Sequence, residues 1–218
     1  MVFRGRDVMV DCGRDWLERV ARLRPRAIVL THAHPDHAAG LRRGSPCPVF
    51  ATEVTWRALR HYPLAQIEAV KPRRPLDIAG ITFEAFRVEH SLRAPAVGYR
   101  ISAGKATIFY APDVASIRGQ DDALDGVEVY VGDGAAITRG IVRRRNGAPI
   151  GHASIRTQLD WCAEAGVRRA VFTHCGSEIV RSDARAAAAK VAALGRERGV
   201  EARIASDGME LTVRPRPS

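Results

Sequence analysis

The chain has 218 residues, 46% hydrophobic and 27% charged, the balance of an ordinary folded protein with enough length to bury a core. Its apolar runs fall short of the roughly 18 residues of a membrane span, and Met1-Val2-Phe3-Arg4-Gly5-Arg6 lacks the apolar centre of a signal peptide, so a single cytoplasmic domain over residues 1–218 is expected, with no membrane partner. The net charge of +10 invites a polyanionic partner, yet Lys71, Lys105 and Lys190 are the only lysines, and an arginine- and alanine-rich composition equally suits a GC-rich coding sequence.

Short apolar runs alternate with amphipathic stretches. A strand over 7–10 ends in the turn Asp11-Cys12-Gly13, and 15–23 reads as a helix with Trp16, Val20 and Leu23 on one face. A strand over 27–30 runs directly into Thr31-His32-Ala33-His34-Pro35-Asp36-His37. A strand over 48–51 leads to a helix that Thr52 can cap. Residues 81–88 alternate, with Ile81, Phe83, Ala85 and Val88 facing inward, and strands over 96–101 and 106–110 pair through Ala103-Gly104-Lys105. A buried strand covers 127–131, and the arginine-rich 139–147 reads as a basic surface loop. A helix over 154–165 is stopped by Gly166, a strand covers 170–173 and an alanine-rich helix 183–194. Strands over 202–204 and 209–213 finish the sheet, and the tail 214–218 is expected to fray. Cys12, Cys47, Cys162 and Cys175 show no C-x-x-C spacing and are expected as reduced thiols.

Six of the seven histidines, His61 being the surface exception, stand where metal chemistry would use them. The H-x-H-x-D-H run packs four metal-binding side chains into six residues, and imidazole with carboxylate suits zinc, iron or manganese. His90, Asp113 and His174 each follow a strand, the position where sheet proteins gather functional side chains. Seven ligands (His32, His34, Asp36, His37, His90, Asp113 and His174) exceed what one tetrahedral zinc takes and suit two divalent cations sharing a carboxylate and a hydroxide.

These residues resemble, in order and over nearly the whole chain, hydrolases of the metallo-β-lactamase fold. The resemblance implies an α/β fold, a four-layer αββα sandwich. It implies that His32, His34 and His90 bind one metal, that Asp36, His37 and His174 bind the other, that Asp113 bridges them, and that Asp11 orients ligands. Zinc is expected first, with manganese or iron as alternatives. His90-Ser91 followed by Gly98-Tyr99, the element Gly151-His152-Ala153-Ser154 and the closing Asp207-Gly208-Met209-Glu210 are similar to the phosphodiesterase branch, which includes the tRNA 3′-end endonuclease and a cyclic ribose-phosphate phosphodiesterase. By that likeness Asp36 and His152 are catalytic, His152 contacting a phosphate or protonating the leaving oxygen, while Ser91 and Arg93 touch substrate and the arginines of 139–145 offer further phosphate contacts.

Two departures bear on substrate. The stretch Val131-Gly132-Asp133-Gly134-Ala135-Ala136 stands where the tRNA endonuclease carries His-Glu-Ala-Thr, and the sequence has no long insertion to serve as an RNA-gripping arm. Asp113, where dinuclear lactamases carry cysteine, argues against β-lactams. The expected activity is a dinuclear phosphodiesterase acting on a cyclic, nucleotide or nucleic-acid diester, with a homodimer as the assembly to test. Its alternatives are a thioester or lactone hydrolase and a non-catalytic scaffold in a nucleic-acid assembly.

Overall fold

A computed structural model describes residues 1–145 and 147–214, so Asn146 of the basic stretch and residues 215–218 of the tail lie outside the described residues. The fold is mixed α/β with more than one sheet. It divides into two compact units, Met1–Ala85 with Ser91–Val97, and Phe86–His90 with the chain from Gly98 onward.

In the first unit, β1 (Val2–Phe3) pairs antiparallel with β2 (Arg6–Val10), and β2, β3 (Ala27–Val29), β4 (Val49–Thr52) and β5 (Ile67–Val70) follow in parallel. All three residues of β3 are buried, the continuous apolar pattern of a strand covered on both faces. The helix expected over 15–23 is shorter: a 3-10 turn at Arg14–Trp16, then α1 (Val20–Leu23). Arg19, at its N-cap, makes no side-chain cap bond, and Arg24 turns left-handed (φ 45°) before Pro25, which disfavours a further helical residue. Val20 is buried as expected, whereas Leu23 is 50% exposed. α2 (Pro35–Ala38) starts on a proline, whose missing N–H costs nothing at that position, and α3 (Glu53–Ala58) is capped by Thr52. Val20, Ile28, Leu30, Leu41, Val49 and Leu59 form the core, with Trp16, Trp56 and Tyr62 packed against it. β6 (Leu76–Ile78) turns through Ala79-Gly80 onto the start of β7 (Ile81–Glu89).

In the second unit, the remainder of β7 is followed by β8 (Ala96–Ala103, from Gly98), β9 (Ala106–Tyr110), β10 (Ser116–Ile117), α4 (Gln120–Leu124) and β11 (Val129–Asp133). Then come β12 (Ile141–Arg145), β13 (Ala148–His152), α5 (Ile155–Glu164), β14 (Arg169–Thr173), α6 (Ser177–Val180), α7 (Ala184–Arg196) and β15 (Glu201–Ile204). The sheet order is β10-β7-β8-β9-β11-β14-β15, with β9, β11, β14 and β15 parallel. Phe86, Phe109, Tyr130 and Phe172 bridge its strands in one aromatic row, with centroids 5.9, 6.1 and 6.3 Å apart. Ser154 and Asp183 cap α5 and α7 by accepting from the N–H groups of Thr157 and Ala186.

Two expectations are corrected here. Residues 209–213 form no strand; the sheet ends at β15, and the stretch after it is largely exposed. The basic 139–147 stretch is not a loop: Ile141–Arg145 pairs with Ala148–His152 in a hairpin, with Gly147 left-handed (φ 78°) at its turn. Asn-Gly is a strong hairpin signal that the run of arginines obscured.

Candidate metal centre

The first unit concentrates its donors where β2 and β3 end. Asp11, left-handed at φ 59° and 9% exposed, follows β2. Its Oδ1 accepts the Thr31 N–H at 2.8 Å, and its Oδ2 lies 2.8 Å from His37 Nδ1. A carboxylate only accepts, so His37 carries its proton on Nδ1 and leaves the Nε2 lone pair for a ligand. The Thr31 hydroxyl, 3.0 Å from both Asp11 oxygens, gives its proton to Asp11 and accepts from His32 Nδ1 at 3.0 Å, which leaves His32 Nε2 as a second lone pair. That atom stands 2.9 Å from His34 Nδ1, and His37 Nε2 stands 3.6 Å from Asp36 Oδ2. His32 and His37 are buried, His34 is half-buried and Asp36 is exposed at the start of α2. A side chain at Gly13 would run into the Asp36 carbonyl, so glycine there lets the turn after β2 meet α2, which the Cys12 N–H to His37 O bond (2.7 Å) secures.

The second unit repeats the arrangement. His90 follows β7, Asp113 lies three residues beyond β9, Asp133 ends β11, His152 ends β13 and His174 follows β14 with φ 52°. His90 Nδ1 donates to the Gly151 carbonyl at 3.1 Å, which again leaves Nε2 as the lone pair. Asp113, 3% exposed, has its Oδ1 3.7 Å from His90 Nε2 and 3.5 Å from the Nδ1 atoms of both His152 and His174. Those spacings exceed hydrogen-bond lengths. Ligands held at the usual zinc distances in a tetrahedron stand about 3.4 Å apart, so the spacing of Asp113 with His90 and His174 fits a cation, whereas His152 Nδ1 is engaged with Asp133. Donor atoms lie within 4.8 Å of one another in His90, Asp113 and His152, and again in Asp133, His152 and His174.

Sequence reasoning passed over Asp133. It is fully buried; Oδ1 accepts the Ala135 N–H (2.8 Å), and Oδ2 accepts the Val114 N–H (3.0 Å) and His152 Nδ1 (2.7 Å). Burial works against protonating His152, but the hydrogen bond and charge of Asp133, with the charge of Asp113, raise its pKa above the ordinary imidazole value. Gln158, on the buried face of α5, holds Asp133 in turn: its amide donates to the Asp133 and Ala153 carbonyls (2.7 and 3.1 Å) and accepts from the Asp133 N–H and the Tyr130 hydroxyl (2.8 and 2.9 Å). The available signal was position, since Asp133 ends a buried strand as the recognised ligands follow theirs. Ser91 uses its hydroxyl locally, accepting from the N–H groups of Arg93 and Ala94, and the Arg93 side chain is exposed. His61 is exposed and stacks edge-on against Tyr62. Among the described residues no helix is long and apolar enough to cross a membrane.

Residues 6–175 match the family described as beta-lactamase superfamily domain. A ribonuclease Z of Mycobacterium bovis is 25% identical over 210 residues, covering 76% of this chain and 74% of that protein. Among solved structures, the metallo-beta-lactamase fold protein YhfI from Bacillus subtilis superposes with a TM-score of 0.69 at 16% identity, over 93% of this chain and 85% of that one. The short form of human tRNase Z superposes with a TM-score of 0.56 at 16% identity, over 82% and 85% of the two chains.

Proposed function

Because the chain belongs to the beta-lactamase superfamily and is a metal-dependent hydrolase of the metallo-β-lactamase fold, we propose that it hydrolyses phosphodiesters with two bound divalent cations, zinc first among them. The seven ligands are those the family pattern assigns: His32, His34 and His90 for one ion, Asp36, His37 and His174 for the other, and Asp113 shared. The lone pairs directed by Asp11, Thr31 and the Gly151 carbonyl support this assignment, as does the cation-like spacing around Asp113. When bound, such ions supply a water acidic enough to ionise near neutral pH and positive charge for the phosphoryl oxygens.

The observation that carries the phosphodiester reading is the Asp133–His152 pair beside Asp113. Hydrolysis of an alkyl phosphodiester breaks a P–O bond and expels an alkoxide, a poor leaving group that needs a proton. Asp133 fixes the proton of His152 on Nδ1 and favours the imidazolium, so Nε2 is the atom that carries a transferable proton. To Asp36, exposed at the start of α2 with its Oδ2 3.6 Å from His37 Nε2, we assign the acceptance of a proton as well as a place at the metal. Ser91 contributes by shaping the turn that presents Arg93 to a phosphate. The name carried by the ribonuclease Z relatives agrees with a diester in a nucleic acid.

Replacing His152 with alanine tests the assignment. Turnover of an alkyl diester such as a dinucleotide, whose alkoxide needs that proton, should fall by about 10²–10⁴-fold while both metals stay bound. Unchanged turnover sinks the acid role, and lost metal makes His152 a ligand. Turnover of thioesters or lactones but of no phosphodiester would assign the enzyme to acyl bonds.

A further inference from the structure

Resting on the phosphodiester reading, we infer that the β12–β13 hairpin grips a single-stranded nucleic acid, so that the substrate is a polynucleotide and not a small cyclic diester. Every residue of β12 is exposed, and Arg139 before it is exposed too. The residues facing Arg143, Arg144 and Arg145 across the ribbon are Ile150, Pro149 and Ala148, none of them acidic. Arg118, Arg198 and Arg57 each pair with a carboxylate elsewhere. Among the described residues Arg139, Arg143 and Arg145 have no ion-pair partner, and Arg144 bonds only the Gly147 carbonyl at its own turn. Adjacent like charges on one ribbon repel, a cost that a polyanion lying along it would reverse.

The ribbon is aimed by its base. Gly151 donates to the His90 carbonyl at 2.8 Å and accepts from His90 Nδ1 at 3.1 Å, and the Ala153 N–H bonds the Val114 carbonyl at 2.6 Å. β13 therefore delivers His152 beside Asp113 while the other end of the ribbon carries the arginines. Ile141 opposes His152, so Arg143 and Arg145 belong to the same face, about 7 and 13 Å farther along at the usual strand rise. A small cyclic diester held at His152 is too short to reach Arg145. A nucleic-acid strand spans that distance, and a single strand bends from the exposed arginines to half-buried His152 where a stiff duplex does not.

The test is fluorescence anisotropy of the metal-loaded protein with a short fluorescein-labelled, phosphorothioate-linked single-stranded RNA at several salt concentrations. The Arg143→Ala/Arg145→Ala variant should bind roughly tenfold more weakly, and the slope of log K against log salt should shrink by about 1.4, two contacts at about 0.7 each. The Arg143→Lys/Arg145→Lys variant keeps charge and bulk and should recover most of the slope, which separates lost phosphate contacts from a damaged hairpin. Unchanged affinity and slope in the alanine variant would overturn the proposal, and so would poly-glutamate displacing the RNA at equal charge concentration. Bis(p-nitrophenyl) phosphate turnover by the unmodified protein reports separately on the underlying chemistry. Turnover with hairpin-independent RNA binding sinks the grip alone; no turnover of any diester sinks the phosphodiester reading.

Discussion

At the scale of single residues, the protein fixes its histidines by what stands behind them. Asp11 and Thr31 set the protons of His37 and His32, the Gly151 carbonyl sets that of His90, and Asp133 sets that of His152. Asp133→Asn removes the charge and can offer its amide N–H to a ring nitrogen that needs an acceptor. We expect kcat to drop by about 10²-fold or more, with KM little changed and metal retained, and Asp133→Glu to recover part of the loss. Equal losses in all three quantities would mean a purely structural role. The cysteines give a prediction about pH. Burial pushes the Cys162 thiol from 9.0 to about 12, and burial with the neighbouring Asp11 charge does the same for Cys12. Both stay protonated in the folded state while the unfolded chain ionises, so the folded state binds more protons and the stability they contribute is present below about pH 9 and lost as pH rises towards 12. Urea unfolding across that range should show the decline, and Cys162→Ala should flatten it. Iodoacetamide at neutral pH should label the half-buried Cys47 and Cys175 well before Cys12 and Cys162.

At the scale of elements, strand ends and caps do the positioning. Ser154, 2% exposed, caps α5 two residues after His152, and Ser154→Ala should cost about 1 kcal/mol in urea unfolding. Gly151 is the more demanding position. Its φ is 115° and a Cβ there would collide with the Ile141 carbonyl, so Gly151→Ala should open the hairpin, cost about 3 kcal/mol and lower hydrolytic turnover by misplacing His152. A melting temperature equal to that of the unmodified protein would refute this. The elements most legible in the sequence were those whose apolar pattern repeats: β7, β8, β9, α5 and α7 fall close to their expected places. In β7 the inward alternation of Ile81, Phe83 and Ala85 shifts by one at Phe86, which is buried beside Ala85. Short pieces such as β1, β10 and α6 span too few residues to show a period. The hairpin escaped notice because charge, which reports solvation, stood in front of turn chemistry, which reports backbone geometry.

At the scale of the whole molecule, metal binding links stability to chemistry. The fold buries histidines and aspartates at strand ends where cations would offset their mutual crowding, so chelation should lower the melting temperature as well as abolish turnover. At a metal concentration a hundredfold above Kd, the bound ion contributes about 2.7 kcal/mol, a shift of several degrees for a chain of this size. An unchanged melting curve with EDTA would argue against structural coupling of the ions. What the sequence determined by itself was chemistry and order: the H-x-H-x-D-H run is local, and donor type with close spacing already implies a metal, while the order of motifs already implies the family. What only the tertiary structure decided was partnership across distance. Asp133 and His152 are 19 residues apart and Asp11 and His37 are 26 apart, and nothing in the spacing of either pair announces that they meet. They meet because β-strand pairing and loop docking set through-space neighbours by register and backbone hydrogen bonds, which side-chain identities along the chain do not encode one by one.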